Sequence, residues 1–313
     1  MQQFAFVFPG QGSQSIGMLQ ALGSEAAVKA VFDRASDILG YDVWNLIQNG
    51  PLETLNKTQV TQPVLLAANY AVWECWRQWG GAMPAYLAGH SLGEFSALVA
   101  AEVLDFEAAL QLVANRGQYM QEAVPEGRGA MAAIIGLDND VISSICEAVK
   151  QDDVVSPANY NSIGQTVIAG NKDAVERAVV MAKDEGAKLA KLIPVSVPSH
   201  CALMQPAAAK LADDLSRLQL QPAKIPVIQN VDVAIHTDPD EIRDALEKQL
   251  TEPVRWVETI EFLASKNVKN IVECGPGKVL MGLNKRITKD LETHVINTPE
   301  LLNAMCERLK GDN

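Results

Sequence analysis

Gly89-His90-Ser91-Leu92-Gly93 has the G-x-S-x-G form. A serine in that pattern can be a nucleophile when a strand runs into the turn and a helix leaves it. The glycines permit a tight turn, and the turn pushes the hydroxyl out of the path of the chain. The N-terminus of the following helix offers free N–H groups and a positive dipole end to a developing oxyanion. The same pattern also occurs as an ordinary structural turn. A serine hydroxyl needs a base. Among the four histidines, His90 adjoins Ser91 and is badly placed to serve its own neighbour. His236 sits in a polar loop with Asp238 and Asp240, and His294 in a short strand-like segment near the end. By elimination His200, in Pro198-Ser199-His200-Cys201, is the best base, the alternative being a satisfied, partly buried histidine. No Asp or Glu stands out as a third triad member. A backbone carbonyl could fix the imidazole tautomer equally well.

Arg116 is the second informative residue. In the helix after Asp105, Ala109, Val113 and Met120 share a stripe, and Arg116 lies three residues after Val113 and four before Met120. A guanidinium on or beside an apolar face is costly unless paired. A buried salt bridge or a snorkelling side chain would satisfy it. So would a role as bidentate receptor for a substrate carboxylate, and that receptor would reject acyl groups lacking the carboxylate. Gln11-Gly12 follows a strand end, where a backbone N–H could supply a second oxyanion donor. Gly275-Pro276-Gly277-Lys278 lacks the spacing of a phosphate loop, so no nucleoside triphosphate is implied. The histidines and cysteines show no metal-ligand spacing, so a structural zinc site is not expected.

The elements that must position these residues can be read from apolar runs and breakers. Phe4 to Phe8 reads as a buried strand stopped by Pro9-Gly10, and Tyr86-Leu87-Ala88 as a second, bounded by Pro84 and Gly89. The residues between them are mostly helical. Leu92 to Val103 is apolar nearly all round, which marks a buried helix. Asp105 caps a helix running to about Ala123. The texture changes at Pro125. Strand 130–137, helix 139–150, strands 154–161 and 165–169, helix 171–185 closed by Gly186, and strand 188–196 follow in order. That order is the βαββαβ pattern of a ferredoxin-like unit. Its helical α/β flanks make it an insertion, with residues 1–126 and 198–313 in the larger domain and 127–197 in the smaller. Beyond it, 226–228 and 270–274 read as strands and 258–264 as a helix. Thr298-Pro299 opens a last helix ended by Gly311.

The chain has 313 residues, 48% apolar and 20% charged. That is globular composition, and the length suits two domains. Acidic residues number 38 against 26 basic, for a net charge of −12. General binding to nucleic acid or an anionic membrane is not expected of so acidic a surface. No apolar run reaches the roughly 18–20 residues that span a bilayer, and the start lacks the basic region of a signal peptide. Five cysteines, spread and odd in number, read as buried thiols of a reducing compartment, hence the cytoplasm. Cys201 stands out only because it adjoins His200.

Several segments occur together in the order of a known family. They are Gly10-Gln11-Gly12-Ser13-Gln14, Gly89-His90-Ser91-Leu92-Gly93-Glu94, Arg116, Asn159-Tyr160-Asn161-Ser162, Ser196-Val197-Pro198-Ser199-His200-Cys201, Gln249 with Pro253-Val254-Arg255-Trp256, and Glu273-Cys274-Gly275-Pro276-Gly277. Over essentially its whole length the chain resembles the malonyl-CoA:acyl carrier protein transacylases of bacterial type II fatty acid synthesis. The resemblance implies an α/β-hydrolase-like large domain with an inserted ferredoxin-like small domain. It implies Ser91 as nucleophile, His200 as base and Arg116 as the grip on the malonyl carboxylate. The backbone N–H groups of Gln11 and Leu92 would form the oxyanion hole, and the backbone carbonyl of Gln249 would orient His200. Malonyl-CoA and acyl carrier protein would be the partners, with no cofactor, and a monomer is the default. A serine esterase or thioesterase shares the nucleophile and base but has no use for Arg116. A polyketide-pathway acyltransferase shares all of it. Carrier proteins of this system are typically acidic, so docking calls for a local basic patch, with Lys188, Lys191, Lys278, Lys285, Arg286 and Lys289 as candidates.

Overall fold

A computed structural model describes residues 3–195 and 197–310. Strand β1 (Phe4–Phe8) is buried along its whole length, as a central parallel strand must be. Helices α1 (Ala26–Leu39), α2 (Val43–Asn49), α3 (Leu52–Leu55) and α4 (Thr58–Gln78) follow it. Strand β2 (Tyr86–Gly89) leads into α5 (Leu92–Ala100), whose nine residues are all buried. In α6 (Phe106–Ala123) the Asp105 carboxylate accepts from the amides of Glu107 and Ala108, the N-cap expected of it. Next come β3 (Gly129–Ile135), α7 (Asn139–Val149), β4 (Val155–Ser162), β5 (Gln165–Asn171), α8 (Lys172–Asp184) and β6 (Leu189–Ile193). The remainder is α9 (Gln205–Ser216), β7 (Val227–Ile228), α10 (Pro239–Lys248), α11 (Trp256–Ser265), β8 (Asn270–Glu273), α12 (Val279–Ile287), β9 (Glu292–Val295) and α13 (Pro299–Leu309).

Two sheets organise these elements. The first has the order β7-β2-β1-β8-β9 and is parallel throughout. Helices cover it, and its aromatic core includes Phe6 packed edge-on against Trp73 and Trp76 at 5.6 and 5.0 Å between centroids. The second sheet, β4-β5-β3-β6, is antiparallel and carries α7 and α8 over its own apolar cluster. Its connectivity is the expected βαββαβ, so the mixed α/β class read from the sequence holds. Backbone bonds tie the edge strand β4 to the rest of the protein: Val254 donates to Ala158, and Tyr160 donates to Val254.

Some elements differ from expectation. Helix α5 stops at Ala100, not Val103, because Glu102 turns at φ 60°. Strand β3 stops at Ile135, where Gly136 takes φ 97°. Strand β6 stops at Ile193, since Pro194 has no N–H for a ladder. Ser196 and Gly311, the expected ends of a strand and a helix, lie outside the described residues. Helices α9, α10 and α12 were not anticipated. All five cysteines are buried free thiols. Among the described residues no helix is long and apolar enough to cross a membrane, and no cluster of three or more His, Cys, Asp or Glu could hold a metal ion.

Candidate active site

Ser91 sits between β2 and α5 with φ 53° and ψ −112°. That backbone conformation is strained by about 1–3 kcal/mol for a residue with a Cβ. Close approach on both sides enforces it. A Cβ on Gly93 would come within 2.0 Å of the Phe8 carbonyl oxygen, and one on Gly89 within 1.9 Å of the Gly93 backbone. Asn230, just after β7, clasps the same turn. Its amide Nδ2 donates to the Gly89 carbonyl at 2.7 Å, and its Oδ1 accepts from the Ser91 N–H at 2.8 Å.

The Ser91 hydroxyl lies 2.8 Å from His200 Nε2. On its other side the His200 Nδ1–H donates to the backbone carbonyl of Gln249 at 2.6 Å. That bond leaves Nε2 as the acceptor facing Ser91, the tautomer that a base requires. Burial, together with the nearby Arg116 charge, pushes the His200 pKa down to about 3. The imidazole is therefore neutral, and able to take a proton, at ordinary pH.

Arg116 is fully buried on α6 and stacks 5.4 Å from the centre of the Phe95 ring. Its Nη1 donates to Gln62 Oε1 at 2.6 Å and its Nη2 to Gln249 Oε1 at 2.9 Å. Both acceptors are neutral amides. Among the described residues no carboxylate makes a salt bridge with Arg116, and its Nε has no partner. The buried salt bridge considered from the sequence is thus not what satisfies this side chain. Burial lowers its pKa to about 10, which leaves the guanidinium charged at neutral pH. It is a pinned cation with no salt-bridge partner among the described residues, felt by Glu94 only at longer range, and it faces a cleft.

Ser91, His200, Arg116, Leu92 and Gln11 all line that one cleft, of about 410 Å³. The parallel-sheet side also contributes His90, Gln62 and Met120, and the antiparallel sheet closes the cleft with Met131, Asn159, Asn161 and Val167. As the first residue of α5, Leu92 carries one of the amides that a helix leaves without an internal acceptor. Gly10 holds the Gln11 loop against the turn, since a Cβ there would meet the His90 carbonyl oxygen at 2.4 Å. All six residues singled out for the site, Gln249 included, are thus neighbours, although as many as 238 positions separate Gln11 from Gln249. Reasoning from sequence missed Gln62, Asn230 and the roles of the Gln249 side chain. Their partners lie far away in the chain, so no local spacing marks them. Glu94 entered only as the last residue of the Gly89–Glu94 segment, with no role assigned to it.

With a hydroxyl beside a neutral imidazole, a helix N-terminus behind it and an unpaired cation in the same cleft, the arrangement can form an ester with an acyl group that carries a carboxylate. Comparison with known proteins gives the same direction. Residues 5–298 match the acyl transferase domain family. The malonyl CoA-acyl carrier protein transacylase of Escherichia coli K12 is 55% identical over 308 residues, which is 98% of this chain and 100% of that one. The solved structure of the transacylase from Coxiella burnetii is 55% identical with a TM-score of 0.97, over 98% of both chains. A malonyl-transacylase solved in complex with a type II polyketide acyl-carrier protein is 53% identical, with a TM-score of 0.97, over 98% of this chain and 99% of that one. On this identity and coverage, the chain belongs to the malonyl CoA-acyl carrier protein transacylases of the acyl transferase family.

Proposed function

We propose that the protein transfers the malonyl group of malonyl-CoA to the phosphopantetheine thiol of an acyl carrier protein, in two half-reactions through a malonyl ester on Ser91. The observation that carries this reading is the pairing of Ser91 with neutral His200 in the cleft that also holds the uncompensated Arg116. As Ser91 Oγ bonds to the thioester carbonyl carbon, His200 Nε2 takes the hydroxyl proton. The Gln11 and Leu92 amides receive the oxyanion. The C–S bond breaks and coenzyme A leaves as the thiol, taking the proton from the imidazolium. The carrier thiol then repeats the steps in reverse. Arg116 holds the malonyl carboxylate throughout. None of these steps requires a metal or a cofactor. Arg116 selects the acyl group and not its acceptor; the likeness to relatives named as transacylases is what favours transfer over hydrolysis.

The test is intact-protein mass after brief mixing with malonyl-CoA. One malonyl adduct, discharged on adding holo carrier protein, is expected. Coenzyme A released in steady state without carrier would mean a hydrolase instead. Supply of malonyl groups for fatty acid synthesis, a cytoplasmic location and a monomeric state complete the proposal. The relative bound to a polyketide carrier makes the polyketide pathway its alternative, one separated by the carrier and not by the chemistry.

The low His200 pKa gives a pH expectation. The folded imidazole titrates below its ordinary value, so it remains a base as pH falls from 7 to about 5. Malonyl-Ser91 formation, followed by quenched mass measurements, should stay flat through pH 6.5, whereas a drop centred there would show an imidazole titrating as in water. The same depression lowers stability in acid. The unfolded chain binds a proton below about 6.5 that the folded one refuses, so stability falls as pH drops below that value.

Docking of an acidic carrier to a protein of net charge −12 needs a local patch. Lys278, Lys285, Arg286 and Lys289 are exposed on and beside α12, and Lys188 and Lys191 are exposed around β6. Arg286 donates to Gln165 at 2.9 Å, at the hairpin between β4 and β5. Lys188 packs near Gly136, whose amide donates to Gly164 of the same hairpin. Lys188 and Arg286 therefore both adjoin that hairpin, whose tip exposes Ile163. Charge reversal at Lys285 and Arg286 should raise the KM for carrier protein several-fold, in a salt-dependent way, and leave the KM for malonyl-CoA unchanged. Equal effects on both substrates would remove the patch from the docking surface.

A further inference from the structure

One of the buried ionisable groups that the mechanism leaves unused is bonded to the residues of the site. Glu94 lies on the first turn of α5, three residues after the nucleophile, and is fully buried. Its Oε2 accepts two hydrogen bonds, from Gln249 Nε2 at 2.7 Å and from the backbone N–H of Asn230 at 3.1 Å. These two residues hold the rest of the site. Gln249 orients His200 through its backbone carbonyl and Arg116 through its side-chain Oε1, and its Nε2 also donates to the Ser91 carbonyl at 3.1 Å. Asn230 clasps the strained turn around Ser91.

An amide side chain is nearly symmetric in shape, so its neighbours decide which way it faces. Arg116 offers only donors and therefore demands Oε1. On the other side the two Nε2 donors require acceptors, or they would be buried without a partner. The Ser91 carbonyl is one, and Glu94 Oε2, at the shorter distance, is the other. Without Glu94, one Nε2 donor and the Asn230 backbone N–H would each lose the acceptor that holds it.

We infer that Glu94 is a positioning residue: by accepting from Gln249 and Asn230 on one oxygen, it sets the orientation of Arg116, His200 and the Ser91 turn together. It takes the structural place of the acid missing from the triad, one residue removed from the imidazole. It acts as an acceptor and not as a counter-charge. Its other oxygen, Oε1, has no partner among the described residues, and no salt bridge joins it to Arg116. Burial raises the Glu94 pKa to about 8, against the pull of its two donors and of Arg116.

The inference rests on the roles proposed for Ser91, His200 and Arg116. Its test compares Glu94→Met, Glu94→Gln and the parent in the full chain. The readout is the rate of Ser91 acylation by malonyl-CoA and by acetyl-CoA, per molecule competent to react with a serine-directed fluorophosphonate. Glu94→Met removes the acceptor. Malonyl transfer to Ser91 should slow about 100-fold, and the malonyl-to-acetyl ratio should fall, because Arg116 loses its orientation as well as His200. Glu94→Gln offers its own carbonyl oxygen in place of Oε2 and should retain the parent ratio. A merely structural role would lower the yield or melting temperature of Glu94→Met and leave the ratio of the competent molecules unchanged, which would overturn the inference. Damage by Glu94→Gln equal to that of Glu94→Met would overturn it as well, in favour of a charge. Should Glu94→Met not fold, Glu94→Asp withdraws the acceptor by one methylene, and an unchanged ratio there is equally decisive. A parent protein that forms no malonyl adduct would instead refute the proposed function itself.

Discussion

Ser91→Ala should form no malonyl adduct and should lose transfer activity by on the order of 10⁴-fold or more, the scale seen when a triad nucleophile is removed. The effect should be confined to chemistry. The hydroxyl has one partner, His200, while the Ser91 backbone is held by Asn230, Glu94 and Gln249, which the substitution leaves in place. Alanine carries the same Cβ as serine into the same positive-φ conformation, so the strain of the turn does not change. The melting temperature should stay within a few degrees of the parent. The expected mass spectrum after mixing with malonyl-CoA is thus that of unmodified, folded protein. An adduct of undiminished yield on Ser91→Ala would place the ester on another residue. The hydroxyls and thiols nearest the cleft, Ser199 and the buried Cys201, would then be the next to examine by peptide mapping.

The residues of this site were legible to different degrees, and the reason in each case is how far its determinants extend along the chain. Ser91 was legible because glycine spacing, strand, turn and helix all fall within a few residues. Arg116 was legible because a charge on an apolar helix stripe contradicts its surroundings, although the sequence left a salt bridge open and only the fold replaced it with two amides. His200 came by elimination alone. Asn230 and Gln62 carried no signal, since they matter only through partners 139 and 54 positions away. The inserted βαββαβ unit could be read because its alternating runs are bounded by turn residues. Helix α10 was missed although Asp238 caps it and Pro239 opens it, because the neighbouring polar residues read as a loop around His236. Helix α12 begins right after the Gly275–Gly277 turn and is held by Glu273, whose carboxylate accepts from the Leu280 and Met281 amides. Such a cap comes from the preceding strand, outside the window in which helix starts are sought.

Arg116→Ala should convert a malonyl-selective site into one that takes acetyl and malonyl groups at comparable rates. The guanidinium in the free protein donates to two neutral amides and forms no salt bridge among the described residues, so the malonyl carboxylate is the anion that would pair with it directly in a buried position. Truncating one partner of such a pair costs about 2–4 kcal/mol, which is roughly 30- to 1000-fold in malonyl transfer to Ser91. Acetyl transfer should change little by comparison, since an acetyl group leaves the cation unpaired in the parent and meets no cation in the variant. Selectivity arises from that asymmetry, because the parent rejects acetyl by leaving its own buried charge unsatisfied. Arg116→Lys separates charge from shape. It keeps a cation but cannot donate at once to Gln62, Gln249 and a carboxylate in a planar fork, so malonyl preference should fall to an intermediate value. Competition between malonyl-CoA and acetyl-CoA, read as the two ester masses on Ser91, reports the ratio directly and does not depend on how much of the variant folds. A ratio in Arg116→Ala equal to that of the parent would mean that the carboxylate is read elsewhere in the cleft. The cation on α6 would then be left with a structural duty that its two amide partners alone do not explain.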